Sequence, residues 1–332
     1  MDSLLLLTIL IVFFALAFDF INGFHDTANA IATSVSTKAL PPKIAIAMAA
    51  LMNFLGAITF TGVAKTITKD IVDPFAIENG SIVILAALLS AIAWNLITWY
   101  YGIPSSSSHA LIGSIAGAAI SAAGFGILNY SGFIKILEAL ILSPFIALAV
   151  GFLMMSLFKV LFRNSNLYKT NKGFRTFQIF TAALQSFTHG TNDAQKAMGI
   201  ITMALIAGGF TTSTDIPLWV RIAAATAMGI GTSIGGWKII KTVGGKIMKI
   251  RPINGAAADL SSALIIFGAT YIHLPVSTTH VISSAIMGVG SAQRVKGVKW
   301  GVARKIVLTW VITLPISAAL AALIYQIINL FF

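Results

Sequence analysis

Two aspartates stand at matching places in this chain, each inside an apolar stretch. Asp26 lies in Gly23-Phe24-His25-Asp26-Thr27-Ala28-Asn29-Ala30. Asp193 lies 167 residues later, in Gly190-Thr191-Asn192-Asp193-Ala194-Gln195-Lys196-Ala197. Each follows its glycine by three residues and precedes a polar side chain, Asn29 or Lys196, by three more. A carboxylate at the centre of a membrane helix costs about 2.5–3.5 kcal/mol on insertion scales, so such residues usually mark pathways or sites. Asp26 and Asn29, at i and i+3, share one helix face, and with nearby backbone carbonyls they form a hard oxygen set suited to a small cation. Asp193 either does the same or pairs with Lys196. A buried Asp193–Lys196 ion pair that only fixes helix packing is the plainer alternative.

A second motif also repeats. Pro104-Ser105-Ser106-Ser107-Ser108-His109 matches Pro275-Val276-Ser277-Thr278-Thr279-His280 at an offset of 171, and Pro144 and Pro315 keep that offset. Proline lacks an amide proton and breaks helices. A helix that restarts after such a turn offers free amides, the positive end of its dipole and flanking hydroxyls, which together suit a small oxyanion. Ser105, Ser106, Ser107, Ser108, Ser277, Thr278 and Thr279 are the candidate donors, with Asn192 and Lys196 as further anion-site candidates. A serine beside a histidine also invites a hydrolase reading, with Ser108 or Thr279 as nucleophile. A nucleophile needs one unique base, and two symmetric sets argue against it. His25, His109, His189 and His280 read as local hydrogen-bond partners. Asp259 reads as support for the second serine turn. Asp19 and Glu138 read as lying near a membrane boundary, without a role.

These side chains need helices that cross a bilayer. The chain of 332 residues is 57% hydrophobic and only 10% charged, too little charge to cover a soluble surface. The runs Leu4–Phe18, Ile44–Val63, Ile82–Tyr101, Phe133–Phe162 and Val302–Phe332 approach or exceed the ~20 residues a span requires. The expected fold is therefore all-α, a polytopic membrane protein. The start lacks a basic n-region and a small-residue cleavage site, so Leu4–Phe18 reads as a retained segment. The net charge of +12 does not imply nucleic acid: fifteen of 22 Lys and Arg fall in three acid-free clusters, at 159–175, 238–251 and 294–305. Such clusters at the ends of apolar segments are what cytoplasmic loops look like. With no cysteine, disulfides and thiolate metal sites are excluded.

The repeats divide the chain into two copies of one unit, 1–162 and 176–332, joined by a short basic linker, 163–175. Equivalent loops differ in charge in one consistent sense. Lys69–Gly80 holds Asp70, Asp73 and Glu78 against one lysine, while Lys241–Gly255 is wholly basic. Ala122–Gly132 is uncharged, while Ser291–Lys305 carries five positive residues. Under the positive-inside rule equivalent loops then lie on opposite sides, and the halves are inverted-topology repeats with a site at their interface near the midplane. Both termini are expected outside and the linker in the cytoplasm. Gly23 and Gly190 are expected to interrupt their helices, and each proline turn to begin a re-entrant helix from a break near the bilayer middle.

On these motifs the chain resembles the inorganic phosphate transporter family, across essentially its whole length. The residues that carry the resemblance are Gly23–Ala30, His189–Lys196 and the two Pro-x-Ser-x-(Ser/Thr)-His turns. Gln195-Lys196 and the short linker are similar to the bacterial and archaeal branch. His25 stands where the family more often has asparagine. The resemblance implies secondary active import of inorganic phosphate through a multi-pass cell membrane protein, with no enzymatic activity. No cofactor is implied beyond sodium or protons as co-substrate, and a homodimer is compatible with it. It further implies functional roles for Asp26, Asn29, Asn192 and Asp193, with the serine turns holding phosphate. The candidate cation-holding set is Asp26, Asn29, Asn22, Asp193, Thr33 and Gln185. The leading expectation is a sodium-coupled phosphate symporter working by alternating access. Its alternatives are proton coupling, a sulfate or metal-phosphate substrate, a passive anion channel and, remotely, the hydrolase.

Overall fold

A computed structural model describes residues 3–72 and 80–331. Asp73 and Glu78, two of the three acids in the loop contrast above, lie outside the described residues. Twelve helices account for the fold among the described residues, with a single isolated bridge, Val72 to Leu128, as the only strand-like pairing. The first six are α1 (Ser3–Ser36), α2 (Pro42–Thr59), α3 (Gly62–Asp70), α4 (Gly80–Tyr101), α5 (Ser107–Ala123) and α6 (Tyr130–Leu161). The second six repeat the series: α7 (Leu167–Ala207), α8 (Leu218–Ile234), α9 (Trp237–Lys241), α10 (Pro252–Tyr271), α11 (Thr278–Arg294) and α12 (Trp300–Asn329). Among the described residues six helices are long and apolar enough to cross a membrane, seven if the bent α8–α9 pair is one span.

The packing is twofold. α1 packs on α8 and α2 on α7; α6 packs on α11 and α12 on α5; α1 meets α4 and α7 meets α10. Each of these contacts between the halves has a partner with the roles exchanged. The long helix after each serine turn leaves its own half and covers the re-entrant helix of the other, so the repeats are intertwined rather than adjacent.

Glycine sets how close these helices come. Contrary to expectation, α1 and α7 run unbroken through both aspartate motifs. Gly23 and Gly190 are places of close approach: a Cβ on Gly23 would lie 2.5 Å from the Met228 carbonyl oxygen of α8, and one on Gly190 would lie 2.2 Å from that of Asn53 on α2. A single glycine costs a helix only about 1 kcal/mol, less than burying the apolar face returns, so the helix persists. The basic stretch 163–175 likewise becomes, from Leu167, the first turns of α7.

The hairpins α4–α5 and α10–α11 carry the two serine turns. α4 runs 22 residues, enough to cross. The chain then reverses at Gly102, whose φ of +66° favours glycine, and doubles back until Ser105 lies beside Trp94, whose indole N–H donates to the Ser105 hydroxyl at 2.9 Å. The cap comes next. Ser106 opens α5 by accepting the His109 amide at 3.1 Å, and Ser277 opens α11 by accepting that of His280 at 3.2 Å. These are ordinary N-caps.

Candidate functional site

With one serine of each turn spent on capping, the residues just after it turn inward. By helix geometry the first amides of α5 and α11 have no intrahelical partner. Beside them, Ser107, Thr278 and Thr279 point at the two aspartates. Ser107 donates to Asp26 Oδ2 at 3.2 Å, and Thr279 to Asp26 Oδ1 at 3.3 Å. Thr278 donates to Asp193 Oδ2 at 3.2 Å, and the Asn22 amide to the same oxygen at 3.3 Å. Asp26, from the first repeat, is therefore held by both serine turns. Asp193, from the second, is held by its own turn and by α1.

Each aspartate also meets a histidine. His25 Nδ1 lies 2.7 Å from Asp26 Oδ1, while its Nε2 lies 3.0 Å from the Thr98 hydroxyl. His189 Nε2 lies 3.5 Å from Asp193 Oδ2, while its Nδ1 lies 3.0 Å from Asn53 Oδ1. Ligand atoms of Asp26, His189 and Asp193 all fall within 4.8 Å of one another and all three residues are buried. Lys196 is buried as well. Its Nζ lies 2.9 Å from Asp193 Oδ1 and donates to the Ser107 hydroxyl at 3.3 Å, bridging the second aspartate to the first serine turn. At the repeat-equivalent position Asn29 donates to Thr279 at 2.9 Å and Thr278 at 3.3 Å, leaving its own Oδ1 without a protein partner.

The arrangement thus gathers Asp26, Asn29, Asn22, Asp193, Lys196, Ser107, Thr278 and Thr279 in one buried locus. It sets the other candidates around that locus. The Gln185 amide donates to the Asn29 carbonyl at 3.3 Å. Thr33 donates to Asp259 Oδ1 at 2.6 Å, and Thr181 to the other oxygen at 3.4 Å. Thr33 thus belongs to a polar cluster one turn further along α1, and Asp259 organises that cluster rather than the serine turn. Asn192 braces the second turn: its amide donates to Thr270 and to the Leu274 carbonyl, and its oxygen accepts the Val276 amide. Ser108 donates to the Val276 carbonyl at 2.8 Å, tying the two turns together. Ser105 is engaged by Trp94 and Thr313.

Asp19 is the residue sequence reading misplaced. It lies at the middle of α1 rather than near a boundary, is wholly buried, and neither carboxylate oxygen has a partner among the described residues. Asn22, one turn on, also presents an unpartnered oxygen. The signal was available: helix α1 continues to Ser36, so its centre falls at Asp19 and not at the end of the first apolar run.

The chain is also similar to known proteins. The chain matches the model of the family described as "Phosphate transporter family" over residues 22–170 and 162–321. It is 75% identical over 333 residues, covering 100% of both chains, to a "Probable low-affinity inorganic phosphate transporter" of Bacillus subtilis (strain 168). It is 44% identical to a protein of the same description from Rhizobium meliloti (strain 1021), covering 98% of each. A solved structure titled "The sodium-dependent phosphate transporter" superposes with a TM-score of 0.88 at 26% identity, covering 98% of this chain and 100% of that one.

Proposed function

The chain belongs to the phosphate transporter family, and from that premise we propose that it imports inorganic phosphate in symport with sodium, by alternating access. The observation that carries the reading is the meeting of the two serine turns on Asp26 and Asp193, with Lys196 between Asp193 and Ser107. In this reading the hydroxyls of Ser107, Thr278 and Thr279, now donating to carboxylates, turn to phosphate once sodium neutralises those carboxylates. The free amides at the starts of α5 and α11 add donors without adding charge. Asp26, Asn29, Asn22 and Asp193 supply the oxygens for sodium, and Lys196 supplies the fixed positive charge. Asn192, Ser105, Ser106 and Ser108 act by holding the turns in place. The sodium dependence stated for the similar structure supports sodium as the co-ion here.

Alternating access would move the intertwined repeats, 1–162 and 176–332, about the fixed site, the usual design of inverted-repeat transporters. Symport requires that sodium raise the affinity for phosphate and phosphate that for sodium by the same factor. The deciding experiment is phosphate uptake into proteoliposomes under an inward sodium gradient, and separately under a pH gradient without sodium. Sodium-stimulated uptake that collapses in Asp26→Asn and in Asp193→Asn is the expected outcome. Uptake driven fully by the pH gradient alone would replace sodium with protons, and unchanged sodium-driven uptake in both variants would sink the assigned roles.

A further inference from the structure

Behind the two serine turns, between α6 and α12, lies a cavity of about 700 Å³, within the ~300–1,000 Å³ range of ligand-binding cavities. Both repeats build it: Pro144, Phe145 and His109 from one, Pro315, Val311 and His280 from the other. Its floor is a histidine pair. The rings of His109 and His280 lie 4.5 Å apart between centroids, and Trp310 stacks on His280 at 4.0 Å. On the far side of that floor His109 Nδ1 lies 2.8 Å from the Ser106 hydroxyl, and the His280 amide is held by Ser277. The pair therefore separates the serine turns from the cavity. His280 Nε2 and Trp310 Nε1 have no partner among the described residues. The rim is apolar and exposed, at Ile141, Phe145, Val307 and Val311, on helices that cross the membrane, so it faces lipid chains.

The cavity has one polar end. Arg304 and Trp300 line it there, with Lys299 and Lys305 beside them in sequence. The repeat offset of 171 puts Phe133 where Arg304 is, Ile134 where Lys305 is and Leu128 where Lys299 is. The twofold axis of the fold is thus broken here by charge, and the basic end lies in one of the clusters that the positive-inside rule assigns to the cytoplasm.

We propose that this cavity binds an anionic phospholipid, its acyl chain against the histidine–tryptophan floor and its headgroup phosphate on Arg304. An amphiphile has one apolar and one charged end, as the recess does. A guanidinium at the cytoplasmic interface favours an anionic headgroup over a zwitterionic one. A second copy of the chain would have to insert a side chain into a concave recess, and its own face offers there only the same recess and the same positive charges.

The test uses the full-length protein in phosphatidylcholine vesicles containing either phosphatidylglycerol or phosphatidylcholine with a photoreactive group near the acyl terminus. After illumination the labelled peptides are mapped by mass spectrometry. Phosphatidylglycerol should label the segments 140–148 and 307–315 several-fold more than phosphatidylcholine. Arg304→Gln should bring its labelling down to the phosphatidylcholine level, and Val307→Trp, which fills the recess, should lower both. Equal labelling by the two lipids in the unaltered protein would overturn the proposal. So would indifference to Arg304→Gln, or failure of both lipids to label these segments, the result a second copy seated there would give. The comparison of lipids needs no variant, so it stands even where a substitution disturbs folding.

Discussion

Lys196→Met gives the sharpest test of the site. Lys196 is wholly buried, its nitrogen 2.9 Å from Asp193 Oδ1 and 3.3 Å from Ser107 Oγ. Methionine keeps most of the length and the apolar stem and removes the charge, together with the donor to Ser107. Deleting one member of a buried ion pair typically costs about 3–5 kcal/mol, because the partner is left charged and uncompensated. Without sodium, Lys196→Met should lose stability of that order, a fall of several degrees in thermal unfolding of the detergent-purified protein. Asp193→Asn should lose a similar amount by stranding the ammonium. The double variant, with neither charge, should recover most of both losses, giving an interaction energy at or above the upper end of the ~0.5–3 kcal/mol seen for residues in contact. A sodium site at Asp193 adds a further expectation. On the proposed sodium coupling, sodium would supply the missing positive charge, so the melting temperature of Lys196→Met should rise with sodium more steeply than that of the unaltered protein. The same variant should bind phosphate at least tenfold more weakly, since about 1.4 kcal/mol is tenfold and a unit charge at ~4 Å is worth about 4 kcal/mol at an effective dielectric constant of ~20. Additive losses in the double variant, or a sodium response equal to that of the unaltered protein, would refute the reasoning.

Gly190→Ala should destabilise severely, because its Cβ would lie 2.2 Å from the Asn53 carbonyl, whereas Gly301→Ala, with nothing within 4 Å, should be neutral or gain up to about 1 kcal/mol; yield and melting temperature in detergent distinguish them. Ser106→Ala and Ser277→Ala each remove a helix cap and should cost about 1 kcal/mol in thermal unfolding, while Thr279→Val, which removes a donor to Asp26, should act mainly on phosphate affinity. Asp19→Asn takes away a buried carboxylate with no partner, so it should stabilise the sodium-free protein and blunt the sodium dependence of uptake; a loss of stability without sodium would contradict this. Outside the membrane, the hydrogen bond and charge of Lys65 hold the Asp215 carboxyl below its usual range. A depressed carboxylate contributes above its unfolded pKa and loses that contribution as pH falls through the folded one. The small melting difference between Lys65→Met and the unaltered protein should therefore be present at neutral pH and vanish in acid.

The membrane class and the repeats were legible because hydropathy and doubled motifs are local signals. The phosphate-site candidates were legible in part: the serine turns announced themselves by Pro and Ser, but which hydroxyl caps and which faces the site is a matter of helix phase. Ser106 and Ser277 take the caps, so Ser107 and Thr278 turn inward. Gly23 and Gly190 misled because glycine serves both broken and tightly packed helices, and only the neighbouring backbone decides between them. The exchange of α6 and α12 between repeats had no signature in spacing at all. Nor did the strut made by Asn192, whose amide finds Thr270 and the Leu274 carbonyl only after the α10–α11 hairpin folds over α7.

The inequality of Asn29 and Lys196 has an electrostatic consequence for the order of binding. When ionised, the buried carboxylates of Asp19, Asp26 and Asp193 outnumber the one buried ammonium, Lys196, by two, with the histidines neutral. An anion approaching that locus meets repulsion in a medium of low dielectric constant, where charges interact strongly. Two monovalent cations cancel the excess, and only then does Lys196, held by Asp193 in their absence, become free to attract phosphate through the Ser107 side. On the proposed sodium coupling, cations would therefore precede the anion on the way in. The lysine lowers by one the number of cations needed, since with asparagine in both halves the same carboxylates would require a third. Phosphate affinity should thus rise with roughly the second power of sodium concentration in this protein, and Lys196→Asn should steepen that dependence while weakening binding at every concentration.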